Sequence, residues 1–145
     1  LDGTAVRVTV NGNEILNNFR FRQFSPELTL TQGAYAIQVF PQGSTTAAIS
    51  GTVELEGNRS YTLAAVGNGS QQPLALQRFE DQTTTPAAGR YALRIAHTAP
   101  FANTAAATAV SIRTDGGAVV AGLSNVPYGA ASGYLDLPVG ALDVK

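Results

Sequence analysis

The chain alternates. In AVRVTV (5–10) Val6, Val8 and Val10 share one face while Arg7 and Thr9 take the other, the two-residue period of a strand. Asn11-Gly12 follows. Both central residues of a type I′ turn need positive φ, so this pair predicts a tight hairpin. EILNNFRFRQF (14–24) then alternates Phe19 and Phe21 with Arg20 and Arg22, a half-buried strand pattern. ELTLT, AYAIQVF, AAISGTVELE, RSYTLAAVG and PLALQRF repeat the habit between Gly, Pro, Asn and Ser punctuation. No stretch carries the apolar stripe of an amphipathic helix. The pattern predicts an all-β protein, a sandwich or barrel.

EDQTTTPAAG (80–89) interrupts the alternation and reads as a linker stiffened by Pro86. It separates a first module, 1–79, from a second, 90–145, which opens on the clear strand RYALRIAHTAPF (90–101). The modules echo each other. TAVRVTVNG (4–12) lies on TAVSIRTDG (108–116) at an offset of 104, which also puts Phe24 on Tyr128. LTLTQGAYAIQV (28–39) lies on LDLPVGALDVK (135–145) at an offset of 107, so the second copy carries a three-residue insertion.

The copies are cut differently. The first has no counterpart of 90–101, and the second has none of 46–79, so each module is expected to be incomplete and phase-shifted. Half a sandwich leaves an apolar face and strand edges bare. Three arrangements resolve this: a longer array of which the chain is a piece, exchange of strands between chains, or return of strand 90–97 into the first copy. In the second, strand 90–97 or a sheet edge fills the gap in the next molecule. Such contacts are head-to-tail and propagate. Val6, Val8 and Val10 with Leu93 and Ile95 are the residues expected to carry the exchange.

Composition narrows the setting. Charged residues are 13% of the chain against the usual roughly 25%, and Lys145 is the only lysine. With a net charge of −1 there is no electrostatic case for nucleic acid or an anionic membrane. Without Cys there are no disulfides or thiol chemistry. No apolar run reaches the roughly 18–20 residues of a membrane-spanning helix.

No catalytic, cofactor or metal constellation stands out, and the chain reads as a non-enzyme without a cofactor. His97, the single histidine, shares a face with Leu93 and Ile95 and is expected to pack inward with a ring nitrogen on backbone. A catalytic base needs a nucleophile partner, and no G-x-S-x-G elbow is present. Glu54 and Glu56 share one strand face and read as a solvated surface rather than a glycosidase pair. Asp115-Gly116-Gly117 reads as a hairpin turn, since it lacks the repeated acids of a calcium loop. Glu80 and Asp81 open the linker as solvated charges. Asn58-Arg59-Ser60 and Asn68-Gly69-Ser70 match the glycosylation acceptor by chance composition. Tyr35, Tyr61, Tyr91, Tyr128 and Tyr134 read as packing residues, with a sugar-stacking platform as the alternative.

LSNVPYGAASGYLDLPVG (123–140), with LRIAHTAPFA (93–102) and VSIRTDG (110–116) ahead of it, resembles the bacterial domain of unknown function 4397 family. His97, Pro100, Asp115, Gly116, Asn125, Pro127, Tyr128, Gly129, Leu137, Pro138 and Gly140 follow the family's order. Residues 4–79 resemble the later part of a preceding copy, although NNFRFRQF departs from the Asn-Val-Pro-aromatic pattern. The resemblance implies a secreted or cell-surface tandem β-sandwich of Ig-like or transthyretin-like kind, with structural roles for these residues. It supplies no activity. The expected function is a structural or adhesive extracellular protein, most sharply a self-assembling surface-fibre or surface-layer subunit. Its partners would be itself or neighbouring modules. The alternative is a glycan- or cell-wall-binding module.

Overall fold

A computed structural model describes residues 4–140 and 142–144; the repeat's last residue, Lys145, lies outside them. The fold is all-β, in several antiparallel sheets, and the only helical turn among the described residues is a 3-10 turn at Ala106–Thr108. Two compact units divide the chain. The first holds Leu1–Ala65 and Leu74–Asp81, the second Val66–Pro73 and Gln82–Lys145.

In the first unit β1 (Val6–Val10), β2 (Asn13–Phe19), β3 (Gly33–Pro41) and β4 (Ile49–Leu55) form one sheet in the order β2-β1-β3-β4. Asn11 and Gly12 make the predicted turn, with φ of 49° and 80°. Asn11 also extends the sheet. Its N–H donates to the Ala36 carbonyl and its Oδ1 accepts from the Ala36 N–H, both at 2.8 Å. β2 bulges against β1: the register moves between Val6↔Phe19, Val8↔Leu16 and Thr9↔Glu14. Asn18, at φ 53°, stands inside the first shift, where a left-handed residue lets two residues oppose one. A second ribbon, β5 (Ser60–Val66) with β6 (Ala75–Asp81), adds Phe79 to the core.

The faces of β1 follow the alternation, but burial does not. Val6, Val8 and Val10 are half-buried, while Thr9 on the other face is buried. β1 lies between two neighbours, so long side chains roof its polar face: Arg7 stacks 4.1 Å from the Phe40 ring centre, and Thr9 pairs with Glu14 and Gln38. Thr9 Oγ1 is left without a hydrogen bond. Ile37, Val39, Ile49 and Val53 are the buried centre of the apolar face.

One expected strand is cut short and another is absent. The strand predicted over 14–24 ends at Phe19, and ELTLT (27–31) forms none. A strand exists only where a ladder partner exists, and no described strand pairs with 20–32. The expected linker also starts too early. Glu80 and Asp81 are the last residues of β6, held to β5 and its turn by Arg59 and the Thr62 hydroxyl.

In the second unit β7 (Arg90–Leu93) pairs antiparallel with β8 (Leu135–Pro138), from Arg90↔Pro138 to Leu93↔Leu135. An Arg90–Asp136 ion pair at 2.7 Å closes the ribbon. Past Leu93 the pairing continues irregularly: the Ser132 N–H donates to the Ile95 carbonyl and the His97 N–H to the Ala130 carbonyl, both at 2.9 Å. Residues 110–126 form a long hairpin. Val110 bridges Val126, the Ile112 N–H donates to the Leu123 carbonyl at 2.9 Å, and Thr114 bridges Val144. Leu123 and Thr108 are completely buried in this unit, with Val126 and His97 nearly so.

Candidate functional site

The one histidine sits in the second unit's core. β7 and its extension carry the chain inward to His97, whose Nε2 lies 2.7 Å from the Thr108 carbonyl. A carbonyl only accepts, so Nε2 carries the proton and donates. The ring also packs beside Phe101 (centres 5.9 Å apart) and edge-on to Tyr128 (6.2 Å, 89°). The Nε2 proton is thus spent on holding the 3-10 turn. The histidine is built in as a brace.

The motif residues around it each have a backbone reason. Asn125 takes a left-handed φ of 54°, and its N–H donates to Ser111 Oγ at 2.9 Å. The Pro127 carbonyl accepts the Ala130 N–H at 3.1 Å, a turn that Gly129 allows with its φ of 79°. The Gly129 N–H in turn donates to the His97 carbonyl at 2.8 Å. Asp115 and Gly116 fill the 114–117 turn, closed by the Gly117 N–H on Thr114 O. Pro138 ends β8, Gly140 follows it exposed, and Pro100 lies half-buried after His97.

Burial pushes the Tyr128 phenol above its ordinary 10.0. Its hydroxyl is buried, and the Gly67 backbone approaches it short of hydrogen-bond geometry. The neutral phenol is therefore favoured in the fold. Its contribution to stability is full below about pH 10 and is lost as pH rises through the raised folded value. Tyr128→Phe is expected to flatten alkaline denaturation above pH 10 and to leave stability at pH 7 unchanged or up by about 1 kcal/mol, since the orphaned hydroxyl goes. Urea titrations at pH 7 and above pH 10 check both.

The other candidates do not converge. Glu54 is exposed on β4, while Glu56 lies just past it, 3.8 Å from Arg59. Asn58 turns between β4 and β5 with φ 58°. Asn68 Oδ1 accepts from the Ser70, Gln71 and Gln72 N–H groups, and its Nδ2 donates to Gln71, so that amide is occupied as a loop brace. Tyr35 and Tyr61 belong to the first unit, Tyr91, Tyr128 and Tyr134 to the second. Tyr61 lies under Arg78, and Tyr134 lies under Arg94 with its hydroxyl accepting from the Gln82 N–H. Among the described residues no three metal-ligating side chains gather, and no helix is long and apolar enough to cross a membrane.

What the alternation did not foretell is an apolar arm on the first unit. Phe21 and Phe24 are 70% and 91% exposed, and Leu28 and Leu30 are 50% and 44% exposed. The exchange candidates Leu93 and Ile95 sit in the second unit, paired with Leu135 and held to Ser132. Val6, Val8 and Val10 are flanked by β2 and β3.

Fold and site together define an all-β protein whose described polar side chains brace loops and edges. The family model described as domain of unknown function (DUF4397) matches residues 1–104, and the chain belongs to that family. The match covers the whole first unit and reaches past His97, whereas the LSNVPYG stretch lies beyond it. No curated protein and no solved structure gives a significant match.

Proposed function

We propose that the chain is a non-enzymatic extracellular structural or adhesive protein whose molecules join by β-strand complementation. The observation that carries this is the apolar arm, four large side chains held in water on a segment with no strand partner. Four large apolar side chains open to water within ten residues are more than singly scattered surface hydrophobics, and such exposure marks an interaction surface. The open edges of β2 and β4 point the same way. The low charge and the family resemblance support a place outside the cell.

The same reading treats the chain as two Ig-like modules in tandem. Backbone pairings support the duplication. Val6↔Phe19, Val8↔Leu16 and Val10↔Ile37 in the first unit reappear as the Val110–Val126 bridge, the Ile112–Leu123 hydrogen bond and the Thr114–Val144 bridge. These correspondences move one match. The three extra residues fall in the hairpin after Thr114, LNNFRF lies on LSNVPY, and Phe21 rather than Phe24 becomes the counterpart of Tyr128.

The test is mass by light scattering over a concentration series, with negative-stain imaging of the same fractions. Regular polymers that grow with concentration and need no ligand are expected. A single-chain mass at every concentration sinks the proposal.

A further inference from the structure

We infer that residues 20–31 form a pre-built receptor for one β-strand, and that the strand it takes is Arg90–His97 of a second copy. The inference rests on the self-association reading and assigns its acceptor. The second unit contains the same receptor, filled. There the turn is closed by the Ala130 N–H on Pro127 O at 3.1 Å, between left-handed residues Asn125 (φ 54°) and Gly129 (φ 79°). On the arm the Gln23 N–H meets Arg20 O at 3.0 Å, between Asn18 (φ 53°) and Arg22 (φ 69°). Arginine is a poor choice for positive φ, so the shared conformation is kept against local preference.

In the filled receptor this turn grips a strand. The Gly129 N–H donates to the His97 carbonyl and the His97 N–H to the Ala130 carbonyl, and β8 then pairs with β7. The counterparts on the arm, the Arg22 N–H and the Gln23 carbonyl, have no backbone hydrogen bond among the described residues. The segment in β8's place, Leu28–Thr31, has no partner strand.

The side chains say which strand belongs there. In the second unit Leu93 stands opposite Leu135, Tyr91 opposite Leu137, and Arg94 lies 5.0 Å over the Tyr134 ring. Carried onto the arm, Leu93 meets Leu28, Tyr91 meets Leu30, and Arg94 faces Glu27, an opposite charge. Thr29 replaces Asp136, so Arg90 loses its ion pair. In exchange, His97 meets Phe21, which has no hydroxyl to strip of water, where Tyr128 buries an unpaired one. Phe24 adds a ring where the second unit has Ala131. In its own unit Arg90–His97 is held by β8 and by Thr108, so donation is an exchange that empties that receptor as it fills the arm. Donor and receptor lie in different units, so the contact is head-to-tail and can propagate.

The experiment combines a peptide with a double variant of the full chain. Peptide 90–97 is titrated into the chain while hydrogen exchange is followed residue by residue. Protection of Arg22 and of 28–31 is expected. Leu28→Asp/Leu30→Asp, at exposed positions, should leave the melting curve in place, weaken peptide binding at least about tenfold and abolish polymers. Protection confined to 135–138, or none, overturns the receptor. Polymers that persist in the double variant also overturn it while leaving self-association standing. A chain that binds peptide at the arm but stays single at all concentrations overturns the second copy as occupant, and with it the self-association reading.

Discussion

Leu123→Ala is expected to cost about 3–4 kcal/mol, enough to lower the melting point of a unit this size by roughly 15–25 °C. Leu123 is completely buried, and its backbone is tied on both sides, to Val120 O through its N–H and to the Ile112 N–H through its carbonyl. The hairpin cannot close over the missing methyl groups without breaking one of those bonds, so most of the cavity stays. The loss should be confined to the second unit. Hydrogen exchange resolved by residue checks this: amides of 110–132 should open while those of β1, β3 and β4 keep their protection. Equal loosening of both units would contradict the division of the core.

The second large effect is expected at His97. Removing the ring in His97→Ala strands the carbonyl of the completely buried Thr108 and opens a hole between Phe101 and Tyr128. Together these are worth about 3 kcal/mol. His97→Gln separates the terms, because its amide can still donate to the carbonyl, and it should recover about 1 kcal/mol. Denaturant melts of the three proteins measure the difference. If His97→Ala melts like the parent, the histidine is not the brace described here, and a chemical role for it reopens.

Much of this was legible in the alternation. Asn11-Gly12 announces its hairpin because few residue pairs hold two positive φ angles cheaply, and β1, β3, β4, β5 and β6 all fall on alternating stretches. The inward packing of His97 follows from its sharing a face with Leu93 and Ile95. Other features depend on partners that no local pattern reveals. Glu27–Thr31 alternates as well as any strand, yet pairing is a property of two segments. Thr9 is buried because of what lies on either side of β1. Arg22 gives no hint of a left-handed backbone, so the likeness of its turn to that at Gly129 is visible only in the geometry. Leu123 opens the LSNVPYG stretch, but nothing in that stretch marks it as the most enclosed large side chain in its unit.

The route of the chain carries one more consequence. From the last residue of β5 the polypeptide enters the second unit for Val66–Pro73, returns to the first for Leu74 and β6, and leaves it again at Gln82. The units are therefore interleaved along the sequence. A single cut between Asp81 and Gln82 does not yield two whole pieces, because Val66–Pro73 depart with the wrong one. Inheritance of the second unit by recombination thus requires the β5–β6 loop to travel with it, and a gene fragment starting at the apparent linker encodes a unit with part of its wall missing.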